Sequence, residues 1–286
     1  MSDSGVLDGF CPDTQDNPKK TPAHMARRLF PLLLLALCAL YFLRWHRLEW
    51  RGAQPIRSRW DQQAYFAYLP ALLLERDITL LSQMPHIEEN RLHPGLFRPG
   101  YAFNPVSMGV AVLEAPFFMV GHGVAWLGGW PLTGWSGPYQ HAVALGNLFY
   151  AWMSLVLLFR LLGRYHHSTA ALWTVGLLAC GSSWLGYAVL EPGMSHVHTM
   201  FLMTLFLNCL DGDACRHSQS WAKYALAGLA GGLIALVRAS SLPIVLFIFL
   251  TSQKTGTGGW RGQLLFWQSV KRHRPVDRFM RQRPVD

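Results

Sequence analysis

Apolar runs separated by short polar stretches dominate the pattern of this chain. They occupy residues 29–43, 107–128, 140–162, 170–190, 197–210, 223–237 and 241–250. A straight helical crossing of a bilayer needs roughly 20 apolar residues, so several of these runs are short for one. The longer ones, such as "AVALGNLFYAWMSLVLLFRLL" within 140–162, are apolar around most of the helix circumference and predict buried or membrane-embedded helices, not amphipathic surface helices.

The first run, "LFPLLLLALCALYFL" (29–43), follows a polar stretch of 28 residues that ends in Lys19, Lys20, Arg27 and Arg28. The long leading stretch and the lack of a small-residue cleavage site after the run predict an uncleaved signal anchor. The basic flank places the N-terminus in the cytoplasm and Arg44 outside. Arg160 and Arg164 after the third run, and Arg216 and Lys223 after "NCLDGDAC", mark cytoplasmic loops, whereas "EPGMSH" between them has no Lys or Arg and is expected outside. This reading gives six crossings: 29–43, 140–162, 170–190, 197–210, 222–237 and 240–251.

Segment 107–128, carrying Glu114, Pro116, His122 and several glycines, then becomes a partly embedded or re-entrant piece of a long external loop, 44–139. The alternative is that 107–128 spans and the arginine bias is broken. The expected organisation is a cytoplasmic segment (1–28), a membrane module (29–251) and a basic, disordered tail (252–286). The tail repeats "RPVD" at 274–277 and 283–286, and one reading is that it is not the native end of a longer membrane protein.

Composition agrees with the pattern: 51% hydrophobic, 13% aromatic and only 14% charged residues over 286 positions, with a mean hydropathy of +0.18. That balance is foreign to a soluble domain of this length. The formal charge of +9 raises nucleic acid as a partner. The basic residues lie between apolar runs and at the termini, however, and no nucleic-acid motif accompanies them, so they are read as topology signals and lipid-headgroup contacts. The 5 cysteines show no CxxC spacing, no disulfide framework and no metal cluster.

Three polar features stand out against this background. In "RWDQQAYFAYLPALLLERD" (59–77), Asp61, Tyr65 and Tyr68 follow i, i+4, i+7 spacing and share one helix face, while Leu69, Leu72 and Leu73 are expected to lie in the membrane interface. An ordinary interfacial helix with an aromatic belt fits the same stretch. In "LEPGMSHVHTMF" (190–201), Glu191, His196 and His198 sit at the mouth of two runs. The two histidines are about 200° apart on a helix, so a shared metal is disfavoured. In "GGLIALVRASSLP" (231–243), Arg238 ends a run, either as a bidentate partner for a phosphate or as a snorkelling anchor. The topology puts Asp61, Glu191, His196 and Arg238 on one external face. A carboxylate, an acid–imidazole pair and a guanidinium there suit chemistry on a lipid-linked phosphate.

From about Leu29 to Leu250 the chain resembles the GT-C membrane glycosyltransferases, in particular bacterial proteins similar to dolichyl-phosphate-mannose mannosyltransferases. The resemblance rests on "WDQQAYFAYLPALLLERDI", "FNPVSMGVAVLEAPFFMVGH" (103–122), "PYQHAVALGNLFYAWMSLVLLFRLL" (138–162), "EPGMSHVHTMF" and "GLIALVRASSLP". It implies an all-α polytopic membrane protein, a GT-C-like helical bundle whose long first external loop carries interfacial helices.

The implied activity is inverting transfer of a sugar from a polyprenyl-phosphate carrier to an acceptor glycan, lipid or protein on the outer face of a bacterial inner membrane. Asp61 would be the catalytic base, Arg238 would hold the departing phosphate, Glu191 and His196 would bind sugar hydroxyls, and Tyr65 would stack on the sugar ring. No cofactor is required by this reading, though a divalent metal is compatible with it. Members of the family usually have more spans and a C-terminal external domain. A competing expectation is therefore a truncated or non-catalytic membrane protein that binds lipid carrier or partner helices. A transporter is disfavoured, because the halves show no internal repeat.

Overall fold

The computed structural model of the chain describes residues 21–49, 55–56, 60–87, 92–210 and 221–246. Among these residues the α-helices are α1 (Thr21–Glu49), α2 (Trp60–Pro70), α3 (Gly109–Leu127), α4 (Gly137–Leu162), α5 (Ser168–Gly181), α6 (Ser195–Leu210) and α7 (Trp221–Val237). Among the described residues the strand content is one antiparallel pair, His93–Pro94 with Ala102–Phe103. The expected all-helical class holds. The tail 252–286 and the end of the run 240–251 lie outside the described residues.

Helix α4 is the axis. Its extended Ser136 precedes Gly137 and Pro138 in the first turn, where proline's missing N–H costs no intrahelical bond. Ala144, Leu148, Ala151 and Leu155 are completely buried and meet Leu37 and Tyr41 of α1 and Val175 and Ala179 of α5. Helix α1 runs antiparallel to α4. Phe30 packs edge-on against Phe159, Trp152 Nε1 donates to the Phe30 carbonyl at 2.9 Å, and Tyr41 pairs with His141 at 2.9 Å.

Helix α3 is also antiparallel to α4, with His122 beside Tyr139 and the Tyr150 hydroxyl donating to the Leu113 carbonyl at 2.7 Å. Helix α6 runs parallel to the second half of α4, from His198 beside Tyr150 to Asn208, whose Nδ2 donates to the Leu157 carbonyl. Helix α7 returns along α6 and ends against the start of α3, where Ser107 Oγ donates to the Val237 carbonyl at 3.2 Å. The first turns of α3 and α6 and the last turn of α7 therefore converge beside the middle of α4. Gly109 makes the convergence tight, since a Cβ there would fall 2.5 Å from the backbone of Leu236 and Val237.

Two helices, α3 with 19 residues and α4 with 26, are long and apolar enough to cross a membrane by length and composition. The most apolar window of α4 is 56% buried and that of α3 39%, so α3 is the more peripheral. Segment 107–128, expected as a partly embedded or re-entrant piece, forms one continuous helix over Gly109–Leu127 that carries Pro116 inside it. The expected crossing 170–190 is interrupted: α5 ends at Gly181, and Gly186–Leu190 forms a separate π-helical turn. Helices α6 and α7, with 16 and 17 residues, are about 24–26 Å long against a hydrocarbon core of about 30 Å. The anchor run 29–43 lies within a longer helix that begins at Thr21.

Helix α2 differs from its expectation as an interfacial helix. Leu69 is buried against Phe118 and Tyr139 instead of lying in an interface, while Leu73 is exposed beyond the helix end at Pro70. Two side chains pin α2 to the segment before α3: Asn104 Nδ2 donates to the Ala64 carbonyl, and the Tyr68 hydroxyl donates to that of Val106, both at 2.8 Å. The second bond satisfies a carbonyl of the irregular backbone before α3.

Candidate functional site

Sequence places Arg238 one residue after the last turn of α7, and its backbone leaves the helix in an extended conformation. The side chain thereby turns across to α6, where the guanidinium NH1 donates to His196 Nδ1 at 2.8 Å while Nε reaches Ser240 Oγ at 3.3 Å. Arginine has no acceptor, so His196 accepts this bond through an unprotonated Nδ1. Tyr187, from the π-helical turn, stacks on the other side of the imidazole with ring centroids 4.0 Å apart. The charges of Glu191 and Asp61 also act on this ring, opposing that of Arg238. The structure therefore brings Asp61, Glu191, His196 and Arg238 into one neighbourhood, with Asp61 exposed, Glu191 and His196 half-buried, and Arg238 exposed.

The neighbourhood adjoins Leu190 and Pro192, which share a small pocket with Tyr41, Arg44 and Trp45 of α1. It lies where α3, α6 and α7 stop beside the middle of α4, because these helices are shorter than α4 and their ends leave irregular backbone at that level. The four groups gather at a junction of helix ends.

Tyr65 does not join the four charged groups. It lines a small cavity with Gln62, Glu114 and Gly193 and packs beside the apolar cluster of α6 and α7. Tyr68 is committed to the Val106 carbonyl, so the shared face expected of Asp61, Tyr65 and Tyr68 is split among three environments. Burial moves the Tyr68 phenol upward from its ordinary pKa, and the neighbouring Tyr65 adds to the shift, so both favour the protonated donor in this bond.

Beneath this cluster lies a feature the sequence left unpaired. Glu114 of α3 and His198 of α6 are both fully buried, with His198 Nε2 at 2.7 Å from Glu114 Oε1. His198 Nδ1 lies 3.0 Å from the Met194 carbonyl, which can only accept, so Nδ1 carries a proton. One further proton is shared between Nε2 and Oε1, making the pair neutral overall whichever atom holds it. The other carboxylate oxygen, Glu114 Oε2, has no hydrogen-bond partner. Gly146 of α4 makes room for it, because a Cβ at that position would collide with Oε2 and with the Phe117 ring. The ring of Tyr150 closes the site from the side of α4, 5.2 Å from the imidazole.

Asn147 adds the third buried polar contact. Its Nδ2 donates to the carbonyls of Tyr187 and Ala188 at 3.2 and 3.0 Å, holding the π-helical turn that presents Tyr187 to His196. A π turn of this sort exposes carbonyls that a regular α-helix would use internally.

His196 and His198 point apart, as their spacing requires, one to Arg238 and one to Glu114. Among the described residues no group of three or more His, Cys, Asp or Glu side chains is arranged to hold a metal ion. The signal that sequence offered for the Glu114–His198 pair was an acid inside one apolar run and a histidine inside another, since ionisable groups in such runs are costly unless paired. No protein-family profile, no characterised protein and no solved structure matches this chain.

Proposed function

We propose that the chain is an integral membrane glycosyltransferase that moves a sugar from a polyprenyl-phosphate carrier to an acceptor at the extracytoplasmic side. The observation that carries this reading is the 2.8 Å hydrogen bond from the Arg238 guanidinium to His196 Nδ1, with the carboxylates of Asp61 and Glu191 near enough to act on the same imidazole. The apolar helices around the junction supply a setting in which a polyprenyl chain can lie while its phosphate meets Arg238.

The chemistry divides among these side chains. Asp61, the exposed carboxylate, takes the proton of the acceptor hydroxyl as that oxygen attacks the anomeric carbon with inversion. The bond from that carbon to the phosphate oxygen breaks, and Arg238 stabilises the negative charge gathered on the departing lipid phosphate. His196, fixed between Tyr187 and Arg238, positions the guanidinium, and Glu191 binds sugar hydroxyls. Multi-pass topology in a bacterial inner membrane, with the N-terminus cytoplasmic, belongs to the same reading.

The phosphate role has its own test. The full chain in nanodiscs is titrated with a polyprenyl phosphate and with the matching polyprenol. Preference for the phosphate that is lost in Arg238→Gln supports the assignment. Equal binding of the two lipids by the wild type, or an unchanged preference in the variant, contradicts it.

A further inference from the structure

Gln62 follows Asp61 on α2 but turns inward. It is 1% exposed, and neither its Nε2 nor its Oε1 has a partner. Burying an amide without hydrogen bonds is costly, so such a residue is unusual in a packed interior. Gln62 lines the same cavity as Glu114, whose Oε2 is also unpartnered. The remaining wall includes Tyr65, Val110, Val143 and Gly193. The cavity has a volume of about 10 Å³, which is room for roughly one water-sized group.

The two orphaned side chains define what that group is. Oε2 of Glu114 is an acceptor in either state of the neutral pair, because the shared proton lies between Oε1 and His198 Nε2. The amide of Gln62 offers both an N–H donor and a carbonyl acceptor. A hydroxyl meets both, donating to Glu114 Oε2 and accepting from the Gln62 N–H. A phosphate oxygen, which has no proton to give, would be repelled by the carboxylate. The cavity wall borders the charged cluster in sequence: Gln62 follows Asp61, and Gly193 lies between Glu191 and His196.

We infer that Gln62 and Glu114 form a hydroxyl-binding subsite that takes one hydroxyl of the carrier-linked sugar while its phosphate is held at Arg238. The subsite rests on the glycosyltransferase reading and adds to it a determinant of which sugar is accepted. A sugar with a hydroxyl placed to reach the cavity fills both orphaned partners, and one without it leaves them empty.

The test measures binding of a short-chain polyprenyl-phosphate hexose and of the sugar-free polyprenyl phosphate to the full chain in nanodiscs. Wild type is compared with Gln62→Leu, and with the nearly isosteric Gln62→Met should the leucine variant fail to fold. The expected result is about a tenfold or greater loss of affinity for the hexose carrier, from one or two lost hydrogen bonds to a buried hydroxyl. Affinity for the sugar-free lipid and the melting temperature should not fall, because the substitution removes an unpartnered amide. A purely structural role for Gln62 would lower the melting temperature and weaken both lipids together, which overturns the subsite. Unchanged affinity for both lipids overturns the subsite and leaves the lipid-phosphate reading intact. Wild type that binds neither lipid overturns both.

Discussion

Glu114 and His198, 84 positions apart in sequence, share one proton across 2.7 Å in the interior of the bundle and tie α3 to α6. A buried pair of this kind contributes little net stability relative to apolar residues of the same shape, yet losing one partner strands the other. His198→Leu and Glu114→Leu should each cost about 3–5 kcal/mol. The double replacement should cost clearly less than their sum. Unfolding of the detergent-solubilised protein, measured for all four members of the cycle, checks this. Additive single effects would mean that the pair is not coupled.

The loop after α2 carries its own lock. Asp77 Oδ1 accepts from the Thr79 amide at 2.7 Å and from its hydroxyl, while Oδ2 accepts from the Ser82 amide at 3.0 Å, at the start of the 3-10 turn Leu81–His86. Desolvation works against the charge, but the hydrogen bonds from Thr79 and Ser82 outweigh it and hold this carboxyl well below the usual carboxylate range. A depressed folded-state pKa gives stability that is complete above the unfolded value and is lost as pH falls through the folded one. Asp77→Ala should therefore lower stability by about 1 kcal/mol at neutral pH, as for a lost helix cap. The difference from wild type should stay constant down to about pH 4 and narrow only below it. Melting curves of both proteins across pH check the window, and a gap that closes between pH 7 and 5 would contradict the assignment.

Helix α3 has the length to cross, yet its first turn lies beside the middle of α4, a position equally suited to a helix that enters and returns. Cysteine labelling separates the two. Arg98 precedes α3, Thr133 lies between α3 and α4, and His166 follows α4, all three on exposed positions. Gly134 itself is a poor site, since its φ is +78° and a Cβ there would press on Pro70. In a chain stripped of its native cysteines, Thr133→Cys and His166→Cys are expected to label from opposite sides, the former from outside. Arg98→Cys is expected to label from the same side as Thr133→Cys. Labelling of Arg98→Cys and Thr133→Cys from opposite sides would make α3 a full crossing.

The helical class and the positions of most helices were legible because long apolar runs leave few alternatives to α-helix. The neighbourhood of Asp61, Glu191, His196 and Arg238 was legible too, since each is a charged or titratable residue at the edge of an apolar run. The interruption after Gly181 was hidden because residues 184–190 remain apolar through the π turn. Gln62 and Asn147 gave no signal at all, being uncharged polar residues whose importance depends on which carbonyl or cavity the fold sets beside them.

The central claim, that this chain transfers a carrier-linked sugar with Asp61 as base, is tested most directly by a transfer assay in membranes. Polyprenyl-phosphate hexose and pentose donors, labelled in the sugar, are incubated with the full chain and with Asp61→Asn, and loss of label from the carrier is followed. The expected result is label leaving the carrier with wild type and a rate reduced by about 10²–10⁴ in the variant, the usual worth of a positioned base. Equal rates in the two proteins would remove Asp61 from the chemistry, and no transfer by wild type from either donor would contradict the glycosyltransferase assignment itself.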